Sequence, residues 1–255
     1  MNGMDSELSN LPELSSDEIG AIQMLLRRHT GYAGLQETGL GESMEGKSMP
    51  RFKPVGKKRF VQILHEYDHW ICASNVFGKS THDVYIYDSM NSTVSKSTIV
   101  QVTSLLREED KSDNINFSIR RFQQQTPLTR ICGFYAAAAA ISCCKDVDPT
   151  GLMYDESLMS QHMSRCLQDD VVELFPAIQT VPLTSDDTVV EVREFKLHCL
   201  CQSRSNRAMM IQCSICCNWY HTNCVVVGQT PLRDINAIWK GPCCDTTHIS
   251  DVQVI

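Results

Sequence analysis

The spacing of apolar residues predicts a chain that begins with a helix and continues into strands. Apolar side chains between Ile19 and Leu26 recur at a helical interval, so a helix beginning near Ser16 should bury one face. The glycine-rich range 31–46 predicts a loop. Residues 70–76 (WICASNV) and 84–87 (VYIY) are typical of strands, and FGKSTHD between them is typical of a turn. Together they predict a β-hairpin.

The middle of the chain alternates in the same way between helical and extended patterns. Residues 97–107 favour a helix, and Ile115, Phe117 and Ile119 alternate with polar residues as in a half-buried strand. The segment CGFYAAAAAISCC predicts a buried, closely packed helix. A further helix at about 155–167 should bury one face, made by Leu158, Met159, His162, Met163 and Cys166. These elements predict an α+β fold.

Composition divides the chain into four parts. Residues 1–13 are acidic and rich in Ser and Asn, which predicts disorder. Residues 14–175 are long enough for a domain with a core of its own, since 42% of the 255 residues are hydrophobic. Residues 176–194, with two prolines and several Thr and Asp, predict a linker, and 195–248 form a small cysteine-rich module.

Charge and targeting signals limit the partners. The net charge of −7 gives no broad positive field, so strong nucleic-acid binding is not expected. The basic cluster is interrupted by Pro54 and Gly56, which favours a solvated loop over a binding site; it comprises Arg51, Lys53, Lys57, Lys58 and Arg59. The acidic start MNGMDSELSN has no apolar core, and no later segment is long and apolar enough to cross a membrane. We therefore expect an intracellular protein without membrane partners.

Cysteine spacing near the C-terminus is typical of a metal site. Eight of the 13 cysteines lie in the last 57 residues, in short hooks such as Cys213-x-x-Cys216 and His221-x-x-Cys224. Such hooks let two side chains from one turn meet a tetrahedral zinc ion. A disulfide framework is the alternative, but it needs an oxidising compartment, so zinc is favoured. The candidate ligands are Cys199, Cys201, Cys213, Cys216, His221, Cys224, Cys243 and Cys244.

Three residues of the larger domain form a candidate catalytic group. His69 lies immediately before the first predicted hairpin strand and Asp88 immediately after the second. With the turn centred between Gly78 and Lys79, these residues fall opposite one another, so a carboxylate would hold the imidazole. Cys132 begins the alanine-rich helix, where the positive end of the helix dipole favours a thiolate. Taken singly, each residue also fits a surface, turn or core position.

The order of these residues resembles that of the SUMO-specific and adenain-type cysteine peptidases. His69-Trp70, Tyr87-Asp88-Ser89, a glutamine-rich loop and Cys132-Gly133 follow the family order, and the likeness covers about residues 11–175. The resemblance implies a papain-like fold and a His, Asp, Cys triad. It further implies cleavage after the C-terminal Gly-Gly of SUMO or of another ubiquitin-like modifier.

The resemblance also assigns substrate roles. It implies that Gln125 donates to the oxyanion and that Trp70 lines the tunnel for the Gly-Gly tail. Gln125 stands seven residues before the cysteine, whereas the family commonly has six, so the loop carries one extra residue. Ile131 replaces a small polar residue, and Glu13 stands where the family has a second tryptophan. A catalytically inactive adaptor that binds a ubiquitin-like protein or a histone tail is the alternative function.

The C-terminal module resembles a PHD finger. The resemblance implies a cross-braced fold with two structural zinc ions, in which Cys199, Cys201, His221 and Cys224 hold the first. Cys213 and Cys216 would begin the second site, completed by Cys243 and Cys244. Gly241 stands where the family has a cysteine, and His248 is an alternative ligand, while Cys217 is not needed.

Some PHD fingers bind methylated lysine of histone tails in an aromatic cage. By resemblance the cage positions fall on Trp219 and Met210, and an indole face suits a quaternary ammonium. Simple packing of Trp219 between the zinc loops is the alternative. The finger analogy implies a docking role on protein or chromatin and a nuclear location.

Overall fold

The fold is that of a computed structural model of the chain. None of the helices in the described part of the chain is long and apolar enough to span a membrane. The described residues are 13–40, 52–90, 93–106, 114–180, 189–196, 210–215, 219–225, 227, 238–241 and 244. The predicted disorder of residues 1–13 therefore concerns residues outside the described ranges, except for Glu13.

A six-stranded mixed sheet forms the centre of the larger domain. Its spatial order is β1-β2-β3-β4-β5-β8, with parallel pairs β1/β2 and β4/β5 and antiparallel pairs elsewhere. Helices interrupt this strand sequence, so the predicted α+β class is confirmed. The strands are β1 (Ala33–Gly34), β2 (Phe60–Glu66), β3 (His69–Ser74), β4 (Asp83–Tyr87), β5 (Asn114–Arg120) and β8 (Val189–Lys196).

Two apolar clusters cover opposite faces of the sheet. Along β2, Val61 and Ile63 belong to one cluster, which also contains residues of the first, third and fourth helices along the chain. Phe60 and Leu64 belong to the other cluster, which contains residues of the second helix. Because strand side chains alternate between faces, the sheet is buried on both sides. The helices are α1 (Ser16–His29), α2 (Lys96–Leu105), α3 (Cys132–Cys144) and α4 (Glu156–Gln168), with a 3-10 helix at Thr38–Leu40.

Helix α1 begins where the sequence predicts. Ser15 caps it by accepting from the backbone N–H of Glu18, and the Glu18 side chain accepts from the backbone N–H of Ser15. This capping box satisfies two donors that a helix start otherwise leaves unpaired. Leu14 then lies so close to α3 that a Cβ at Gly133 would approach the Leu14 Cβ to 2.8 Å.

Helix α3 is buried along its whole length. Every residue from Cys132 to Cys144 is buried, including all five alanines. Small side chains allow the helix to pack closely on β3 and β2. The predicted buried helix is thus confirmed, and Cys132 is its first residue.

Strand β2 is absent from the sequence-based prediction. Nearly all of FVQILHE is buried, so it lacks the alternation of apolar and polar residues that marks a half-buried strand. Its two-residue connection to β3, Tyr67-Asp68, contains neither Gly nor Asn, the usual hairpin signal. Tyr67 nevertheless adopts a positive φ of 56° there.

Two further expectations need correction. The range 176–194, predicted as a linker, contains β7 (Ala177–Thr180), which pairs with β6 (Leu152–Tyr154), and most of β8. Strand β8 pairs with β5, a partner distant in sequence that no local pattern reveals. On α4, Met159, His162, Met163 and Cys166 are buried as predicted, but Leu158 is exposed.

Candidate active site

His69 and Asp88 meet at one end of the hairpin. The Nε2–H of His69 donates to Oδ1 of Asp88 at 2.7 Å, and the backbone N–H of Met90 donates to the same oxygen at 2.8 Å. The predicted register is wrong by two residues, because Cys72 rather than residue 70 pairs with Tyr87. A shift of two residues keeps each side chain on its face of the sheet, so the pair still meets as diagonal neighbours.

Cys132 lies on the other side of the same imidazole ring. A side-chain hydrogen bond joins Cys132 to His69, and since Nε2 faces Asp88, Nδ1 is left for the thiol. Burial alone lowers the pKa of His69, but the hydrogen bonds and charges of Asp88 and Cys132 outweigh it and raise the pKa to about 9. The ring is therefore held as an imidazolium at neutral pH, between a carboxylate and a sulfur.

The sulfur opens onto a cleft of about 470 Å³. Cys132 itself is only 3% exposed, so only reagents that enter this cleft can reach its sulfur. Its walls combine apolar, acidic and amide side chains. The lining residues are Glu13, Asp68, His69, Ser89, Met90, Gln124, Gln125, Pro127, Leu128, Thr129, Arg130 and Cys132.

Gln125 lies in the cleft, but its amide is already engaged. Its Nε2–H donates to the backbone carbonyl of Thr129 at 2.7 Å, and its Oε1 accepts from the hydroxyl of Ser89 at 2.8 Å. The backbone N–H of Gln125 also donates to the Ser89 carbonyl at 3.0 Å. These bonds fix the loop against the end of β4, and the oxyanion role of Gln125 stays a prediction that requires its amide to be released.

Trp70 is not among the residues that line the cleft. Its side chain is 3% exposed, its indole N–H donates to the carbonyl of Leu14 at 3.0 Å, and its ring stacks on His65. These contacts hold the segment before α1 against β3. The tunnel role of Trp70 stays a prediction.

Sequence reasoning missed two features beside the cleft. Glu13 and Arg130 form an ion pair at 2.8 Å across its rim, where the family resemblance puts an aromatic wall. Glu66 is buried at the end of β2, directly opposite His69 in the hairpin register. The ion pair could have been suspected because Glu13 stands at the tryptophan position of the family. The position of Glu66 depends on β2, a strand that no pattern in the sequence predicts.

Half of the predicted zinc ligands lie within the described residues. His221 ends β10 (Trp219–His221), which pairs with β9 (Met210–Gln212), and its Nδ1 lies 3.9 Å from Sγ of Cys224. Two ligands of one tetrahedral zinc are about 3.6 Å apart, so this pair fits a shared ion. The other predicted ligands, Cys199, Cys201, Cys216 and Cys243, lie outside the described residues, as do Cys217 and His248.

Cys213 and Cys244 belong to a different apolar cluster, together with Tyr220 and Trp239. Cys213 is fully buried, and its sulfur accepts from the backbone N–H of Ile215 at 3.5 Å, a contact that suits a thiolate. Among the described residues no three His, Cys, Asp or Glu side chains gather as a metal site. The described part of the C-terminal module thus contains one pair that fits a shared zinc ion and, in Cys213 and Cys244, two further predicted ligands.

The candidate cage residues are covered. Trp219 and Met210 are each 8% exposed and belong to the apolar cluster on the α2 face of the sheet. A cage for a methylated lysine needs open aromatic faces. That role stays a prediction, and it requires both side chains to leave the cluster.

Comparison with known proteins gives little. No protein-family model matches the chain. A stretch of 64 residues is 33% identical to the lysine-specific demethylase JMJ17 of Arabidopsis thaliana. That stretch is 25% of this chain and 5% of the demethylase, so the chain spans only a small fraction of that protein's length.

Proposed function

We propose that the larger domain, predicted at residues 14–175 and completed by β8, is an adenain-type cysteine peptidase domain that cleaves after the C-terminal Gly-Gly of SUMO or another ubiquitin-like modifier. One observation carries the proposal: a single imidazole contacts both Asp88, at 2.7 Å, and the sulfur of Cys132. The three residues come from separate elements of the fold and converge at the head of a buried helix. Such convergence is the geometric requirement of a nucleophile, base and orienting carboxylate.

The proposed reaction is acyl transfer through a thioester. The thiolate of Cys132 attacks the carbonyl carbon of the terminal glycine, and the C–N bond breaks as His69 gives its proton to the departing lysine amine. Water then attacks the thioester carbon and gives a proton to His69, the C–S bond breaks to return the Cys132 thiolate, and the modifier leaves with a free carboxylate. Asp88 holds the ring in place and stabilises the imidazolium through both steps. In the first turn of α3 the backbone N–H groups of Phe134 and Tyr135 donate to the carbonyl of Ile131, so those of Cys132 and Gly133 are the ones suited to the oxyanion.

A binding protein without activity is the second candidate. The observation that favours it is the Gln125 amide, whose N–H donates to Thr129 rather than pointing at a substrate oxygen. In that case the cleft would hold the tail of a ubiquitin-like protein without cutting it. Binding without hydrolysis would distinguish this function from the first.

Hydrolysis of modifier fusions tests the function. We expect the protein to release a C-terminal reporter from a fusion of SUMO, ubiquitin or a related modifier, leaving Gly-Gly at the new terminus. A fusion ending in Ala-Ala is the matched substrate, and we expect a loss of at least about tenfold because added methyl groups must fit a tunnel shaped for glycine. Binding of a modifier with no cleavage of any fusion would replace the peptidase with the adaptor.

We further propose that residues 195–248 are a PHD-type finger that docks the enzyme to protein or chromatin in the nucleus. The 3.9 Å distance between Nδ1 of His221 and Sγ of Cys224 supports a first zinc site. Cys213 and Cys244 lie together in an apolar cluster that contains neither His221 nor Cys224, which supports a second site. Zinc would act as a structural cross-link that replaces a hydrophobic core.

Native mass spectrometry should find two zinc ions per chain. Cys213→Ser and His221→Ala should each lose one ion, because the two residues belong to different sites. The control Cys144→Ser alters a thiol of α3 remote from the finger and should keep both ions. A single zinc in the unchanged protein would contradict the two-site arrangement.

A further inference from the structure

The geometry points to Glu66 as a positioning residue: a second carboxyl group beside His69 that acts on Cys132 through the imidazole. The inference rests on the proposed peptidase function, because it concerns the proton that His69 delivers. Asp88 holds the ring from one side by a hydrogen bond. Glu66 approaches it from the neighbouring strand.

The hairpin register fixes the position of Glu66. Glu66 and His69 are the last pair of the β2/β3 ladder before the two-residue turn. Residues directly opposite in an antiparallel pair share a face, with Cβ atoms about 4.5–5.5 Å apart. Asp88 lies two residues beyond Ile86, which is on that same face. The imidazole is therefore flanked by two carboxyl groups.

Among the described residues, only one of the two carboxyl oxygens of Glu66 has a hydrogen-bond donor. Its Oε2 accepts from the hydroxyl of Thr98 on α2 at 3.0 Å, while its Oε1 is buried with no hydrogen-bond partner among the described residues. The residue is 8% exposed. A buried carboxylate with an unpaired oxygen is costly, so a structural role alone would be served as well by an apolar or amide side chain.

The charge on Glu66 is coupled to the catalytic pair. Burial raises the pKa of Glu66, whereas the hydrogen bond from Thr98 lowers it. The negative charge of Asp88 raises this pKa and the positive charge of His69 lowers it, and the net result is a raised pKa. Facing Glu66 are His69 at the start of β3, Asp88 after β4 and the neutral Thr98 on α2. When Glu66 is ionised, it adds a second negative charge beside the imidazolium and makes that ring harder to deprotonate.

The test is the titration of His69 in Glu66→Gln. Glutamine keeps the shape and an acceptor for Thr98 but cannot ionise. We expect NMR of the ring to show the His69 pKa lowered by about 0.5 units or more, because one negative charge is lost. The rate of Cys132 alkylation by iodoacetamide should show the same shift, and an acid-side inflection present in the unchanged protein should disappear. An unchanged His69 titration would overturn the inference.

A second variant covers the case in which Glu66→Gln does not fold. Thr98→Val keeps the carboxyl group but removes its only described hydrogen-bond donor, so the acid-side inflection should move to higher pH. If that inflection stays in place, the inference is overturned as well. Glu173→Gln, an exposed carboxylate paired with Arg165, is the control and should leave both titrations unchanged.

These measurements separate the inference from the proposed function. Neither ring titration nor alkylation needs a modifier substrate. Failure to cut any modifier fusion, with the His69 shift still observed, would refute the substrate proposal and leave the role of Glu66 intact. Cleavage of a fusion with no His69 shift would refute only the role of Glu66.

Discussion

Replacing Cys132 with alanine should abolish covalent labelling by a ubiquitin-like probe that carries an electrophile at its C-terminus. The same change should reduce hydrolysis of a modifier fusion by about a thousandfold or more, because none of the other described residues that line the cleft supplies a comparable nucleophile. Mass spectrometry of the probe adduct gives the first result, and release of a reporter gives the second.

The specificity of that label can be checked within α3. Burial raises the pKa of the Cys144 thiol to about 12, so it remains protonated at neutral pH and reacts slowly. Cys144→Ala should therefore keep full labelling, whereas Cys132→Ser keeps the shape of the site and should lose it. A Cys132→Ala protein that still forms the adduct would remove this cysteine from the proposed role.

Replacing Asp88 with asparagine should lower kcat/KM by about 10²- to 10⁴-fold with little effect on substrate binding. The amide keeps a similar shape, but it removes the negative charge and presents either an N–H or a neutral oxygen to Nε2 of His69. The hydrogen bond to Asp88 is the strongest influence that raises the His69 pKa, and the charge of Asp88 raises it further, so His69 of the variant should titrate at lower pH.

The pH profile of activity should shift in a defined direction when Asp88 is replaced. In the unchanged protein the His69 pKa is about 9, so activity should persist to mildly alkaline pH and fall as pH rises through that value. In Asp88→Asn the fall should begin at lower pH, because the imidazolium that protonates the leaving amine is lost sooner. Asp169→Asn, at an exposed position that follows α4, should leave both rate and profile unchanged. A profile that does not move in Asp88→Asn would exclude the carboxylate from control of the ring.

The parts of the site that local patterns determine could be predicted from the sequence. The hairpin formed by β3 and β4 and the start of α3 at Cys132 follow from alternation and from the alanine run, and both are confirmed. The register was misjudged because Ser74 pairs with Tyr85, which places the centre of the turn one residue later than expected. The side-chain period of two made this error harmless to the meeting of His69 and Asp88.

The parts that depend on distant partners could not be predicted. Glu66 acquires its position only through β2, whose burial on both faces erases the alternating pattern. Gln125 is fixed by Ser89, which lies 36 residues earlier in the chain, and nothing in the loop sequence indicates that bond. The pairing of β8 with β5 likewise joins segments whose association is decided by the completed sheet.

The alanine run of α3 has a consequence for anyone who wishes to redesign this protein. Side chains larger than alanine at those five buried positions would overpack the surrounding core and cost about 1–3 kcal/mol each, and any shift of the helix that relieves them would displace Cys132 at its start. Leu128, whose side chain is fully exposed, carries no such packing constraint. Libraries aimed at new substrates should therefore vary Leu128 and leave the helix untouched.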